Sequence, residues 1–261
     1  MLQAAPQAFL LALLGGVIFN IANLLLVAAI EIAGMAIAFP IGIGLALVLG
    51  VFNNYLPNPK AYHGLYLFLG VGLVTLAIVI NALAYKKVTQ GSKSTKGIVI
   101  SLIAGFLMSF FYRFVADSMS INLSQIEVGT FTPYAAVFVF SIGILISNFL
   151  FNTYFMRNPI SGSPVTFGMY FKNGTPKLHL VGIFGGMIWS LGMMLSIMAG
   201  EIAGYAISYG LGQGATLVAA IWGVFVWKEF KGAPKGTNKL LAAMFVLFVV
   251  GLSLIIIARL N

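Results

Sequence analysis

Apolar residues fill eight runs of about twenty positions, separated by short stretches in which glycine, proline and charged residues collect. An α-helix needs a run of about 20 residues to cross a hydrocarbon layer of about 30 Å, and the strict alternation of a barrel strand is absent. The pattern predicts spans at about 7–29, 33–53, 65–85, 97–118, 132–156, 178–199, 202–227 and 240–259. The chain is therefore predicted to be an all-α polytopic membrane protein with eight transmembrane helices.

The composition agrees with a membrane location and leaves little room for metal or cofactor chemistry. Hydrophobic residues make up 61% of the chain and charged residues 7%, whereas a soluble domain carries about 25% charged residues. There is no cysteine, and the two histidines, His63 and His179, lie far apart beside predicted helix ends. We therefore expect no metal site, no cofactor and no enzyme activity, since no nucleophile–base set is evident.

The positive charge predicts an orientation in the lipid bilayer. The net charge is +9, and most of the basic residues lie in three alternate loops at 86–96, 157–177 and 228–239, whereas the loops between them hold only Lys60. The positive-inside rule places these three loops in the cytoplasm and both ends of the sequence outside. We expect a plasma membrane location, as in the inner membrane of a bacterium, and no nucleic-acid partner.

The sequence repeats itself at a distance of 170 positions. Aligning 15–50 with 185–220 without a gap gives 15 identities in 36 positions, including the word EIAG at 31–34 and 201–204. The first, second and third spans thus correspond to the sixth, seventh and eighth, which run through the membrane in the opposite direction. An inverted repeat of this kind is typical of secondary transporters, whose substrate sites lie between the two halves.

The repeat also predicts how the chain is divided. The fourth and fifth spans open the second repeat and have no counterpart in the first. We therefore expect residues 1–85 to be helices three to five of a first repeat whose first two helices are missing from the N-terminus. Residues 86–96 would form a basic cytoplasmic linker and 97–261 a complete five-helix repeat. A chain lacking two of ten helices is expected to be inactive.

The two EIAG words predict tight turns between helices, with Gly34 and Gly204 relaxing the backbone. A carboxylate at the bilayer centre costs roughly 3 kcal/mol or more, so Glu31 and Glu201 fit better at opposite membrane faces than within the membrane. The alternative is that the two glutamates are substrate or proton sites.

Two segments carry a resemblance to a known group of proteins. They are GGVIFNIANLL at 15–25 and GEIAGYAISYGLGQGATLVAAIWGVFVWKEF at 200–230, with NTYFMRNPISGSP at 152–164 adding to them. With five helices per inverted half, the chain resembles the drug/metabolite transporter superfamily and is most similar to its ureide permease and glucose/ribose uptake branch, lacking the first two helices.

The resemblance implies transport of small polar metabolites, with proton coupling in the ureide permeases. Allantoin, nucleobases and, in the sister group, sugars are the substrates it suggests. The resemblance also implies a nucleotide-binding-like motif in the central loop of plant members. GSKST at 91–95 lacks the first glycine, the spacing and the preceding strand of a P-loop, so we expect no use of ATP.

Arg113 and Asp117 form the sharpest candidate site, because charged residues within hydrophobic spans mark substrate or proton paths. They are four positions apart on one face of the fourth span and are expected to pair. Protonation of Asp117 would free Arg113 to hydrogen-bond a substrate. The alternative is a structural ion pair at the outer rim of the membrane.

Further candidates offer hydrogen bonds without charge, or flat apolar faces. Amides suit a neutral sugar or ureide, aromatic rings suit a planar ligand, and a glutamine among glycines has room around it. The candidates are Asn20, Asn23, Asn148, Asn152, Gln213, Trp189 and Tyr209. The alternatives are bonding between helices for the amides and anchoring at the membrane interface for Trp222 and Trp227. Pro40 is expected to unwind or bend the second helix.

These observations favour a secondary transporter that imports a small, polar, mostly neutral metabolite by alternating access, with the proton as coupling ion. One alternative is an exporter of drugs or metabolites from the same superfamily. Another is a membrane subunit that binds a solute without transporting it. The sequence does not fix the solute, the coupling ion or the oligomeric state.

Overall fold

The computed structural model describes residues 4–88, 94–120 and 127–259, which form ten α-helices. Their bounds are α1 Pro6–Ala33, α2 Met35–Tyr55, α3 Gly64–Val88, α4 Thr95–Asp117, α5 Pro133–Arg157, α6 Phe167–Asn173, α7 Pro176–Ala203, α8 Tyr205–Gly212, α9 Gly214–Ile221 and α10 Thr237–Ile257. A 3-10 turn covers Pro59–Ala61, and a π-helical turn covers Trp222–Val226.

The prediction of eight membrane-spanning segments is confirmed. In the described part of the chain, eight segments are long and apolar enough to cross a membrane, and α8, α9 and the π turn together make the seventh. The expectation of a single helix over 202–227 is wrong, because the helix is interrupted at Gln213 between α8 and α9. Pro40 does not unwind α2, which continues through it. Residues 89–93 of the predicted basic linker, with most of the GSKST word, lie outside the described residues.

Several helices begin where the sequence supplies a capping side chain. The hydroxyls of Thr132, Thr166 and Thr175 each accept a hydrogen bond from the backbone N–H three residues later. Pro133 and Pro176 then occupy the first helical position, where the missing N–H has no partner to lose. The words TP at 132–133 and 175–176 are therefore start signals for α5 and α7.

Both EIAG words form the predicted tight turns. Gly34 separates α1 from α2 with φ 80°, and Gly204 separates α7 from α8 with φ 87°. A side chain at such a φ is strained, which explains the glycine in each word. The two helices that end at these turns, α1 and α7, both contain 28 residues.

Helix α1 lies against α4 and α5, and glycines bring the backbones together. A Cβ on Gly16 would lie 2.1 Å from the carbonyl oxygen of Phe140, and one on Gly143 would lie 2.3 Å from that of Leu13. Contacts of Gly15 with Val115 and of Ala33 with Gly97 show that α1 and α4 run antiparallel. The buried face of α1 consists mainly of alanine and glycine, as is usual for helices packed within membranes.

Helices α3 and α10 form a second close pair. A Cβ on Gly70 would lie 2.6 Å from the carbonyl oxygen of Gly251, and one on Gly251 would lie 2.9 Å from that of Gly70. At one end of the pair the N–H of His63 donates to the carbonyl oxygen of Ala258 at 2.7 Å. Helices α3 and α10 thus cross at two glycines, where no side chain separates the backbones.

Helix α7 is far less covered than its counterpart α1. Only Met193, Ile197 and Gly200 of its residues are buried. Gly185 and Gly186 correspond to Gly15 and Gly16 in the sequence repeat, but a Cβ on either would meet no other described part of the chain within 4 Å. The glycine pair that is tightly packed in α1 is therefore open in α7.

Candidate functional site

Arg113 and Asp117 form an ion pair at the last turn of α4. Nη2 of Arg113 contacts Oδ1 of Asp117, and the two side chains are 28% and 38% exposed. The predicted pairing of these residues is confirmed, whereas their part in transport stays a prediction. Other residues of the protein therefore cover this pair only in part.

Tyrosines surround this end of α4. Tyr205, the first residue of α8, lies within electrostatic range of Arg113, Asp117 and Glu201. Tyr62, between α2 and α3, is buried and accepts a hydrogen bond on its hydroxyl from the N–H of Ala206 at 3.4 Å. Burial raises the pKa of Tyr62 above its ordinary value of 10.0. The Glu201 turn and the Arg113–Asp117 pair therefore belong to one polar region.

A short run of hydroxyl groups connects α4 with the α7–α8 hairpin. The hydroxyl of Tyr112 donates to the carbonyl oxygen of Ser196 at 3.1 Å. The hydroxyl of Ser208 donates to the same carbonyl, and the Oγ atoms of Ser196 and Ser208 lie 3.2 Å apart. Sequence reasoning missed these three residues, because serines within apolar helices usually bond to their own helix backbone and the partner of a tyrosine hydroxyl depends on distant packing.

The candidate asparagines do not converge on one point. Asn20 is buried, and its Nδ2 donates to Oγ of Ser147 at 3.0 Å, which joins α1 to α5. Asn23 is exposed, and Asn148 is partly buried beside Ser147. Oδ1 of Asn152 is buried and accepts no hydrogen bond from the described residues. Asn20 therefore has an interhelical contact, and Asn152 has an unused acceptor.

The aromatic candidates fall into two classes. Trp189 is 43% exposed and stacks on Phe19 with ring centroids 4.7 Å apart. Tyr209 is 3% exposed, and its hydroxyl donates to the carbonyl oxygen of Ala46 at 3.1 Å. Trp189 therefore presents a free edge, whereas Tyr209 is part of the packing between α8 and α2.

Gln213 stands at the break in the seventh span. Its carbonyl oxygen accepts hydrogen bonds from the N–H of Thr216 at 3.0 Å and from the hydroxyl of Thr216 at 2.6 Å. A helix that is broken within a membrane span needs such local acceptors and donors to satisfy its backbone. In residues 4–88, 94–120 and 127–259, no three histidine or acidic side chains come together as they would around a metal ion.

Comparison with known proteins identifies the family. The protein-family model for ureide permeases matches residues 85–258, which is two thirds of the chain and includes α4 to α10. The chain belongs to the ureide permease family. Ureide permeases are transporters and not enzymes, so this protein is an integral membrane permease.

Curated relatives extend the similarity beyond the matched region. Ureide permease 4 of Arabidopsis thaliana is 23% identical over 319 aligned positions, covering 94% of this chain and 77% of the relative. Ureide permease 1 of the same plant is 24% identical over 314 positions, covering 95% and 78%. The similarity to these ureide permeases therefore includes α1 to α3, where the repeat begins.

Proposed function

We propose that this permease is a secondary transporter that imports a small, polar, mostly neutral metabolite, with ureides as the first class to test and nucleobases and sugars as the next. Membership of the ureide permease family carries this proposal. The amides and hydroxyls within the apolar bundle support it, because they offer donors and acceptors without charge. The proposed coupling ion is the proton.

Asp117 is the proposed proton carrier. While Asp117 is ionised, it holds the guanidinium of Arg113. Protonation of the carboxylate removes the charge that attracts Arg113, so its N–H groups become available to a carbonyl or hydroxyl of the solute. The solute and the proton would then bind together at the outer end of α4, which is the requirement for symport.

Alternating access between two inverted halves is the proposed mechanism. Phe19 and Trp189 occupy equivalent positions of the sequence repeat and stack on each other. Gly34 and Gly204, also equivalent, have φ values of 80° and 87°. Contact between equivalent residues is expected where a pseudo-two-fold axis passes between α1 and α7, and this supports the inverted repeat.

Uptake assays in proteoliposomes test this function. Radiolabelled allantoin, uracil and glucose are offered with and without a proton gradient directed inward. Wild-type protein is expected to accumulate one of them only with the gradient, and Asp117→Asn is expected to lose the dependence on the gradient. Arg113→Ala is expected to weaken uptake of the solute.

Glu127→Gln is the matched control, because it also removes one carboxylate near this end of α4. Glu127 lies in the loop that follows α4 and is outside the ion pair. Unchanged gradient dependence in Asp117→Asn would refute the role of Asp117. A gradient that drives the solute outward would establish an exporter instead. Binding without any flux of the three solutes would favour a non-transporting subunit.

The three basic loops are proposed to face the cytoplasm. Since the chain has no cysteine, a single cysteine in loop 157–177 can be labelled in oriented vesicles with a maleimide that does not cross membranes. Labelling is expected only from the cytoplasmic side, and labelling from the outer side would reverse the orientation.

A further inference from the structure

A cavity of about 320 Å³ opens at the end of the bundle that carries the basic loops. It lies between α2, α3 and the segment from α9 through the π turn. Its walls include Pro40, Asn81, Tyr85, Thr216, Trp227 and Glu229. The volume is at the small end of the range of about 300–1,000 Å³ for pockets that hold small molecules. None of the polar residues in its wall is among the sequence-predicted candidates.

The polar groups of the cavity are arranged around one side. The hydroxyl of Tyr85 donates to Oε2 of Glu229 at 2.5 Å, across 144 positions of sequence. Oδ1 of Asn81, one helical turn before Tyr85, is buried and accepts no hydrogen bond from the described residues. A buried acceptor without a donor is costly, so this atom has the properties of a group that awaits a ligand.

The backbone next to Glu229 is built in an uncommon way. The π turn at Trp222–Val226 is of the type that recurs at functional sites. A Cβ on Gly223 would lie 2.7 Å from Oε2 of Glu229 and 3.1 Å from the hydroxyl of Tyr85. Lys228, next to Glu229, has φ 54°, in the left-handed region. Glycine and this conformation together place the Glu229 carboxylate at the cavity.

The equivalent place in the other repeat unit is closed. The counterparts of Phe39 and Pro40 in the aligned repeat are Tyr209 and Gly210. Phe39 and Pro40 line the cavity, whereas Tyr209 is buried and Gly210 lies against the side chains of Val51 and Ile255. The basic end therefore has an open cavity at these positions, and the equivalent positions of the other repeat unit are packed.

One polar wall residue also has an apolar counterpart. Thr216 corresponds to Ala46 in the aligned repeat. Ala46 supplies only its carbonyl oxygen, which accepts the hydroxyl proton of Tyr209. The wall of the open cavity therefore carries a hydroxyl at a position where the packed counterpart has none.

From these observations we infer that the cavity is a binding site for the transported solute on the side of the basic loops, and that the solute is a small uncharged molecule rich in N–H donors. The inference rests on the proposed transport function and adds a site to it. Oδ1 of Asn81 and the Glu229 carboxylate accept hydrogen bonds, as the N–H groups of a urea or amide unit require. An anion would be repelled by Glu229.

Cysteine protection tests this site directly, because the natural chain has no cysteine. Thr216→Cys places a single thiol in the cavity wall. Val218→Cys is the matched control, because Val218 lies two positions along α9, is 60% exposed and does not line the cavity. N-ethylmaleimide labels both variants in proteoliposomes, with and without allantoin, uracil or glucose.

One of the three solutes is expected to slow the labelling of Thr216→Cys and to leave that of Val218→Cys unchanged. Adding Asn81→Leu to Thr216→Cys is expected to raise the protecting concentration about tenfold, the equivalent of about 1.4 kcal/mol for one lost acceptor. Equal labelling of Thr216→Cys with and without every solute would overturn the inference.

A parallel uptake assay separates this inference from the proposed function. Uptake without protection overturns the cavity site and leaves the transport function standing. Protection without uptake supports the site and refutes transport. If neither uptake nor protection is observed, both the site and the transport function are refuted.

Discussion

Substituting alanine for Gly16 and for its repeat counterpart Gly186 should have opposite effects on stability. A Cβ on Gly16 would lie 2.1 Å from the carbonyl oxygen of Phe140 and 2.9 Å from the N atom of Ile144. Ordinary contact begins at 3.4 Å, so the shortfall is 3.4 − 2.1 = 1.3 Å. Both neighbours are backbone atoms of α5, which a rotamer change cannot move.

The magnitude follows from two opposing effects. Forcing packed backbones apart costs about 1–3 kcal/mol, and a backbone clash belongs at the upper end of that range. Alanine also favours the helix over glycine by about 1 kcal/mol. Gly16→Ala should therefore destabilise the protein by about 2 kcal/mol, and Gly186→Ala, with open space around it, should stabilise it by up to about 1 kcal/mol.

Equilibrium unfolding of the purified protein in detergent, followed by far-ultraviolet circular dichroism, measures both variants. Gly72→Ala in α3 is a control, because a Cβ there would also meet open space. Equal changes for Gly16→Ala and Gly186→Ala would refute the assignment of tight packing to the first repeat unit alone. Destabilisation by Gly186→Ala would show that a further segment packs on α7.

Three further predictions concern single contacts. Stability should fall as the pH rises above about 10, because the pKa of Tyr62 is raised in the folded state and the unfolded state loses this proton first. When unfolding is measured against pH, Tyr62→Phe should lessen that fall. A double-mutant cycle of Asn20→Ala and Ser147→Ala should give a coupling of about 0.6 kcal/mol and no more than about 1.7; no coupling would mean that the contact contributes nothing. Gly204→Ala should cost more than about 1 kcal/mol in thermal unfolding, because φ is 87° and the Cβ would lie 2.5 Å from the Tyr62 hydroxyl; wild-type stability would contradict that reasoning.

The membrane spans could be predicted from sequence because each is a predominantly apolar run with glycine, proline or charge at its ends. The EIAG turns were predictable too, since the word occurs twice with the same neighbours. The break at Gln213 was not predicted, although it lies in a glycine-rich stretch, because glycines in membrane helices more often serve close helix packing. The pairing of α1 with α4 and α5 was also hidden, because lipid-facing and buried sides of these helices are equally hydrophobic.

Only the local part of the candidate site could be predicted. The Arg113–Asp117 pair lies within one turn of helix, so spacing alone indicated it. The Tyr85–Glu229 contact joins residues 144 positions apart, and a glutamate beside Lys228 at a helix end resembles an ordinary interface residue. Oδ1 of Asn81 acquires its importance from burial, which depends on how three separate segments pack together.

The crossing of α3 and α10 at Gly70 and Gly251 bears on how these two helices can move against each other. Interlocked side chains would have to disengage before two helices could turn against each other. Here the backbones meet at the two glycines, and the side chains of Val74 and Ile255 lie beside them. The glycines themselves have no side chain to disengage, so a small turn of α3 against α10 about this point can leave their contact in place.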